Sequence, residues 1–512
     1  MSWDYERSRN RLAAEWERVS DLEYTVTRLT REMDLNNLAS TDVRQVSGVH
    51  LYAEIANIDE LLQDPHQRRD DHRRIYRTLH LTRKELRRIL QSVFCGDKIQ
   101  VQGAKFHGLL FRPYNDPETM ATNAVMAALT MDAALTTAFS TVFSSYPKLI
   151  PAIGLDLGDA LVANIGMRGD RELISVGNAA NNSAKILTGN RISIGTTMYD
   201  ALPTDLQDWF TKDGTHYWLD PSTVEDLDDL IKDEGFIWTL QSSINSLTDE
   251  ADALSLMDIA IEEVRGKIDI GRLGPRHAKT CHAATIFADM DGYTKMVDSV
   301  NKDNDALIDA VKLLHLFRYE LRKVTEDDYK GISVQHQGDR LQALLHDPGA
   351  PDDDEVREAA VDLAIAYNSS VEDVINEEHD DILGKIHIAI GCAYGKTLVG
   401  RLGTKADMDP VVISKAAVRA EDLQTSTAGN RLAVTTAMFN AITDEAIREV
   451  FTKEDGGRYE ASGITYAQLE ETEAAVAYKS ATAAAYTAAG TISVGTRGDG
   501  ITALRVTRPY AP

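Results

Sequence analysis

Two aspartates carry the most chemistry in this 512-residue chain. In FADMDGYT, beginning at Phe287, Asp289 stands at the end of an apolar run, and Gly292 marks a turn that should open a helix. In QGDRL, Asp339 follows a glycine between two short apolar runs, the layout of a hairpin turn. Carboxylates at neighbouring strand ends suit a pair of divalent cations, which polarise a phosphate chain and lower the pKa of a nearby hydroxyl. Backbone N–H groups of Asp291, Gly292, Tyr293 and Thr294, at the start of the helix, suit phosphate oxygens. A single strand-end Asp is more often a turn residue or a helix cap. The two motifs together, in this order, give the carboxylates their weight.

The elements that must position them occur twice. IGLDLGDALVANIG from Ile153 returns as IGCAYGKTLVGRLG from Ile390, with Gly154, Gly158 and Gly166 matched by Gly391, Gly395 and Gly403 at one constant spacing. TGNRISIGTTMYDAL from Thr188 pairs with AGNRLAVTTAMFNAI from Ala428. Upstream, LYAEIANI from Leu51 pairs with IFADMDGY from Ile286, and VQGAKFHGLL from Val101 pairs with HQGDRLQALL from His336. Four blocks in the same order indicate duplication of a whole domain. Each copy reads β-α-β-β-α-β, which predicts an α+β protein with tandem ferredoxin-like sheets covered by helices. The expected limits are 47–218 and 277–475, joined by a helical connector over 219–276 and followed by a tail over 476–512. Residues 1–46 read as a helical segment, with Leu12, Trp16, Val19, Leu22, Val26, Leu29 and Met33 on one apolar seam. That seam suits either a coiled-coil homodimer or packing against its own chain.

Composition removes several functions. Hydrophobic residues make up 43% and charged residues 26%, near globular averages, and no run approaches the roughly 20 apolar residues of a membrane span. A net charge of −26 opposes binding to nucleic acid or an anionic membrane. A free nucleotide stays admissible, because bound cations can supply the positive charge. The N-terminus MSWDYERSRNRLAAEWERV lacks a secretory layout, and Cys95, Cys281 and Cys392 are odd in number and without metal-ligand spacing, so a cytoplasmic protein with reduced thiols is expected. GCAYGKT from Gly391 imitates a P-loop, but its glycines are four apart where that motif needs five.

On these motifs the sequence resembles the class III adenylate/guanylate cyclase family, and the likeness covers both copies. GNAANNSAK from Gly177 fits the same family. The resemblance implies two divalent cations, Mn2+ or Mg2+, held by Asp289, Asp339 and the backbone carbonyl of Met290. It also implies a transition-state pair, an Asn and a basic residue four positions later, supplied by the facing domain; here these are Asn181 and Lys185. The first copy has Glu54 in the place of Asp289 and Ala104 in the place of Asp339, while the second has Val418 and Asp422 where the Asn and the basic residue belong. Each copy keeps what the other lacks, so the resemblance implies an intrachain pseudo-heterodimer with one composite site. Lys185 keeps the charge of the family's Arg but not its planar fork.

The family reads adenine with a Lys and an Asp, at positions occupied here by Gln100 and Ile174. A Gln offers a donor and an acceptor to a pyrimidine edge. This departure is similar to the bacterial pyrimidine cyclases of anti-phage Pycsar systems, and it implies a nucleoside triphosphate substrate, UTP favoured over CTP, with a cyclic-nucleotide-binding effector downstream. Two alternatives stay open at this point: an adenylate cyclase, and a non-catalytic nucleotide-sensing module.

Overall fold

Runs that alternate or are wholly apolar set the strands. In the computed structural model the described residues are 3–30, 33, 35, 38–62, 69–167, 170–264, 266–293, 296, 304–348, 353–404 and 407–470. Residues 1–466 form one compact unit. The expected tail, 476–512, lies outside the described residues.

The chain begins with helix α1 (Tyr5–Ser20), capped by the Asp4 side chain on the Arg7 N–H at 2.8 Å. Then come β1 (Thr25–Arg28), β2 (Asp42–Ile55), α2 (Arg69–Arg88), β3 (Asp97–Gln102), β4 (Lys105–Leu110), α3 (Pro117–Ala133), β5 (Pro151–Met167), β6 (Asp170–Val176), α4 (Asn178–Lys185), β7 (Arg191–Gly195), β8 (Thr211–Asp213) and β9 (His216–Leu219). Helix α5 (Leu240–Ala253) lies in the connector. The second copy runs β10 (Ala260–Glu263), β11 (His277–Asp291), α6 (Asn304–Lys323), β12 (Ile332–Gln337), β13 (Arg340–Leu345), α7 (Asp353–Ser369), β14 (His387–Thr404), β15 (Asp407–Ile413), α8 (Lys415–Thr425), β16 (Arg431–Thr435), β17 (Phe451–Glu454) and β18 (Arg458–Ser462).

Among the described residues each sheet has nine strands, and the second repeats the first. The order β3-β4-β2-β5-β7-β9-β8 becomes β12-β13-β11-β14-β16-β18-β17, with β1 beside β2 as β10 is beside β11, and β6 beside β5 as β15 is beside β14. The run β3-β4-β2-β5, antiparallel throughout, is the ferredoxin-like core expected from the sequence. Leu398, Leu402, Val411 and Ile413 of the second copy join the buried core of the first, so one hydrophobic core continues through both.

Two expectations need correction. Residues 1–46 are not one helix: α1 ends at Ser20, and Val26 lies in β1, whose backbone pairs with β2 from Thr25↔Asp42 onward. Strand pairing with an existing sheet satisfies backbone polar groups of that stretch, which a longer solitary helix would leave its termini to find in solvent. The seam is also covered by its own chain, since Leu12 and Val19 are buried and Ser8 donates to buried Glu320 on α6 at 2.6 Å. The connector, finally, is more than helical, because it contains β10 of the second sheet. One helical stretch, Pro117–Val142, has the length and mean hydropathy (1.4) of a membrane span, but Met120–Met131 within it is nearly all buried in the first copy.

The repeated glycines now have a physical reason. Helix α4 lies so close on β5 that a Cβ on Gly154 would meet the Ser183 carbonyl oxygen at 2.0 Å, and α8 repeats this on β14, where a Cβ on Gly391 would meet the Ala420 carbonyl oxygen at 2.2 Å. Gly154→Ala is therefore expected to push α4 away and cost about 1–3 kcal/mol, as overpacking usually does. Denaturant midpoints measure this. An unchanged midpoint would show that α4 can step away freely.

Candidate active site

Asp289 comes near the end of β11, opposite Arg340 on β13, and Asp339 occupies the turn between β12 and β13 beside Gly338. Gly338 has φ +66°, which a side chain resists, so the tight turn that brings Asp339 to the end of β11 depends on glycine. The Met290 N–H donates to the Asp339 carbonyl at 3.2 Å and fixes the two strand ends together. Both carboxylates are half-buried. Burial raises the pKa of Asp289, against the opposing pull of Arg340; burial and then the Asp289 charge raise that of Asp339 well above the usual carboxylate range. Gly292, at φ +78°, turns the chain, and the Met296 N–H returns to the Gly292 carbonyl at 3.0 Å as the first bond of a helical turn. Thr294 lies outside the described residues.

These groups line one cavity of about 460 Å3, within the range of small-molecule sites. The first copy forms its other wall with Gln100, Ile174, Asn181 and Lys185, while Met290, Asp291, Gly292 and Tyr293 line it beside the aspartates. Every candidate residue among those described therefore meets in one place, from two copies of the same fold. Lys185, at the exposed end of α4, lies near enough to Asp289 and Asp339 for its charge to lower both pKa values in part. Helix α4 is held by Asn182, whose side-chain amide donates to buried Asp156 on β5 at 3.0 Å.

Gln100 lines the cavity but is not free to read a base. Its amide nitrogen donates to the His336 carbonyl, and its oxygen accepts from Gln102 at 2.8 Å. The twin residue Gln335 donates in the same way to the Val101 carbonyl at 2.7 Å. The two glutamines tie the copies together across their pseudo-twofold relation, and a buried amide so engaged is held by its desolvation cost. Two further residues that the sequence does not single out also line the cavity. Ser175 has a buried hydroxyl without a hydrogen-bond partner among the described residues, and Tyr52 stacks on His107 at 4.2 Å between ring centroids. Burial holds His107 neutral, its pKa well below the usual histidine range.

The complementary pocket is small, about 70 Å3, and charged side chains cross it. Glu54 lies opposite Lys105 on β4, as Asp289 lies opposite Arg340. The Lys105 ammonium lies 3.6 Å from Glu54 and 3.0 Å from Glu421 of α8. Ala104 offers no ligand, Val418 adds only a methyl-lined wall, and Asp422 is exposed.

Divalent cations suit the larger cavity. Asp289 and Asp339 are hard oxygen donors that repel each other, the donor type such cations prefer, and among the described residues no group of three or more His, Cys, Asp or Glu is placed to hold a metal ion.

No family model matches this chain. It is similar to a uridylate cyclase of Pseudomonas aeruginosa, with 26% identity over 471 residues that cover 88% of each protein. A uridylate cyclase of a Rhizobium species is 25% identical over 429 residues, 79% of this chain and 80% of that protein. Among solved structures, a class III adenylyl cyclase-like ATP-binding protein from Pseudomonas aeruginosa superposes with a TM-score of 0.77 at 24% identity, covering 92% of this chain and 99% of that one. The fold is class III cyclase-like, and the chain has homologues named uridylate cyclase.

If Asp289 and Asp339 hold Mn2+, titration of the full chain with Mn2+ is expected to lose the binding event in Asp289→Asn and in Asp339→Asn, while Glu54→Gln in the other pocket stays within about twofold of wild type. Equal loss in Glu54→Gln would move the metal site to the first copy. Affinity should also fall as pH drops through a range above the ordinary carboxylate value, since raised pKa values let protons compete with the metal earlier. A midpoint at or below that ordinary value contradicts this arrangement.

Proposed function

We propose that the chain is a nucleotidyl cyclase that converts a pyrimidine nucleoside triphosphate, UTP in preference to CTP, into the 3′,5′-cyclic monophosphate and diphosphate. The observation that carries this reading is the single cavity lined by Asp289 and Asp339 from one copy and by Asn181 and Lys185 from the other. In the reaction the 3′-oxygen bonds to the α-phosphorus, the bond from that phosphorus to the bridging oxygen breaks, and diphosphate departs. Divalent cations on the two aspartates would supply Lewis-acid polarisation and a more acidic 3′-hydroxyl.

The chain's own groups do the rest. Asn181 and Lys185, on the opposite wall, meet the charge that builds on the α-phosphate oxygens and the departing bridging oxygen. Tyr293 and the turn at Gly292 bound the phosphate end of the cavity. Ile174 and Tyr52 give an apolar slot for a base, and Gln102 and Ser175 give polar edges that suit a pyrimidine. The names of the two sequence relatives support uracil; the ATP-binding description of the structural neighbour keeps adenine as the second reading. We further propose a cytoplasmic enzyme whose cyclic product acts on a separate cyclic-nucleotide-binding effector in anti-phage signalling.

Incubating the full chain with Mn2+ and each of the four ribonucleoside triphosphates, with cyclic products identified by mass, is expected to yield cyclic UMP above all. Cyclic AMP as the main product would establish the second reading, and tight binding without any product would establish a sensing module.

Asn181→Ala and Lys185→Ala should each lower kcat about 100-fold, the scale of one lost transition-state donor, with a smaller effect on KM. A change confined to KM would make them binding residues only.

A further inference from the structure

Arg340 presents a problem that the cyclase reading leaves unsolved. A guanidinium directly across the sheet from Asp289 and next in sequence to Asp339 is a natural rival to metal ions for both carboxylates. The first copy shows what such a rival does. Lys105, at the equivalent position on β4, sits on Glu54 at 3.6 Å, on the residue that occupies the place of Asp289.

Arg340 does not do the same, because it is turned away and held. Its Nη2 donates to Glu421 at 2.9 Å, its Nε donates to Gln337 at 2.9 Å, and its guanidinium lies over the Phe287 ring, 5.0 Å from the centroid. Gln424, one helical turn along α8 from Glu421, stands between the arginine and the aspartate. Its oxygen accepts from Arg340 Nη1 at 3.4 Å, and its nitrogen donates to Asp289 Oδ2 at 3.2 Å.

We propose that Glu421 is a positioning residue that restrains Arg340, so that Asp289 and Asp339 are kept for metal ions; this rests on the reading of those aspartates as the metal site. Glu421 belongs to the small complementary pocket, where it also accepts from Lys105 at 3.0 Å. A single carboxylate thus closes the vestigial pocket and clears the functional one. Although burial opposes ionisation, Arg340 and Lys105 together hold its pKa down to about 2, which favours the charged carboxylate. With Glu421 neutralised, Arg340 has its strongest remaining partners in Asp289 and Asp339, and it should occupy them as Lys105 occupies Glu54.

Mn2+ alone, titrated into the full-length protein and followed by the EPR signal of the free ion, tests this without turnover. Glu421→Gln is expected to weaken Mn2+ binding about 10- to 100-fold, the range found when a group that supports the metal ligands is lost. Arg340→Gln should bind Mn2+ at least as well as wild type, and the double variant Glu421→Gln/Arg340→Gln should recover to within about threefold of it, because removing the rival removes the need for the restraint. Loss from simple misfolding would make the double variant no better than the single one, and that result overturns the proposal, as does a Glu421→Gln protein that binds Mn2+ normally. Absence of Mn2+ binding in the wild type itself, with Asp289→Asn indistinguishable from it, would overturn the metal-site reading and this inference with it.

Discussion

Asp289 and Asp339 are brought together at the ends of adjacent strands, in a wall where water is scarce, and neither can lose its proton without raising the cost for the other. Much of the surrounding structure is a response to this repulsion. Positive charge has to be near, yet none of it can settle on the carboxylates if they are to bind anything else. Lys185 approaches from the other copy at the exposed end of a helix, and Arg340 approaches from the same sheet but is bound elsewhere. The net charge of −26 adds to this on the scale of the chain, because 80 acidic residues outnumber 54 basic ones and favour cations near the surface.

The duplicated fold turns one geometry to two ends. The same strand order and the same glycine contact beneath α4 and α8 put each helix in an equivalent place. What differs is how the two pockets are filled. In one, a turn carboxylate is present and the adjacent cation is withheld; in the other, the turn residue is Ala104 and the adjacent cation, Lys105, lies between Glu54 and Glu421. The cluster is partly open to water, so each pair in it is worth less than a buried one. The small pocket, about 70 Å3, is thus crossed by paired charges.

The features legible in the sequence were those with a strict spatial period or a rule of backbone conformation. Matched glycines disclosed the duplication because a helix lies directly on Gly154 and on Gly391, and the Gly-Asp turn disclosed Asp339 because few other residues fit there. Features decided by long-range packing were not legible. The place of Gln100 in the chain aligns it with a base-reading residue, but the bond from its amide to a carbonyl of the other copy, a partner 236 residues away, is not legible there. The seam from Leu12 to Met33 has helical spacing, yet a neighbouring strand edge drew Thr25–Arg28 into a sheet. Arg340 stood in plain view within QGDRL, and the repeat aligns it with Lys105; what could not be read was Glu421, which decides where both cations point.

A composite site made of two copies is robust only if the copies cannot drift apart, and the fused chain secures this by more than its connector. A hydrophobic core runs from one copy into the other, and the paired glutamines exchange hydrogen bonds with each other's strands. Helix α1, which precedes the first copy in sequence, packs on α6 of the second through buried Ser8 and Glu320. Segments that lie far apart in sequence are thus fastened across the interface, so the two walls of the cavity keep their register. Fusion also supplies a high effective concentration of one half for the other, which removes any dependence of site assembly on how much protein is present. That arrangement permits each copy to lose half of its site, because no copy ever has to pair with its own kind.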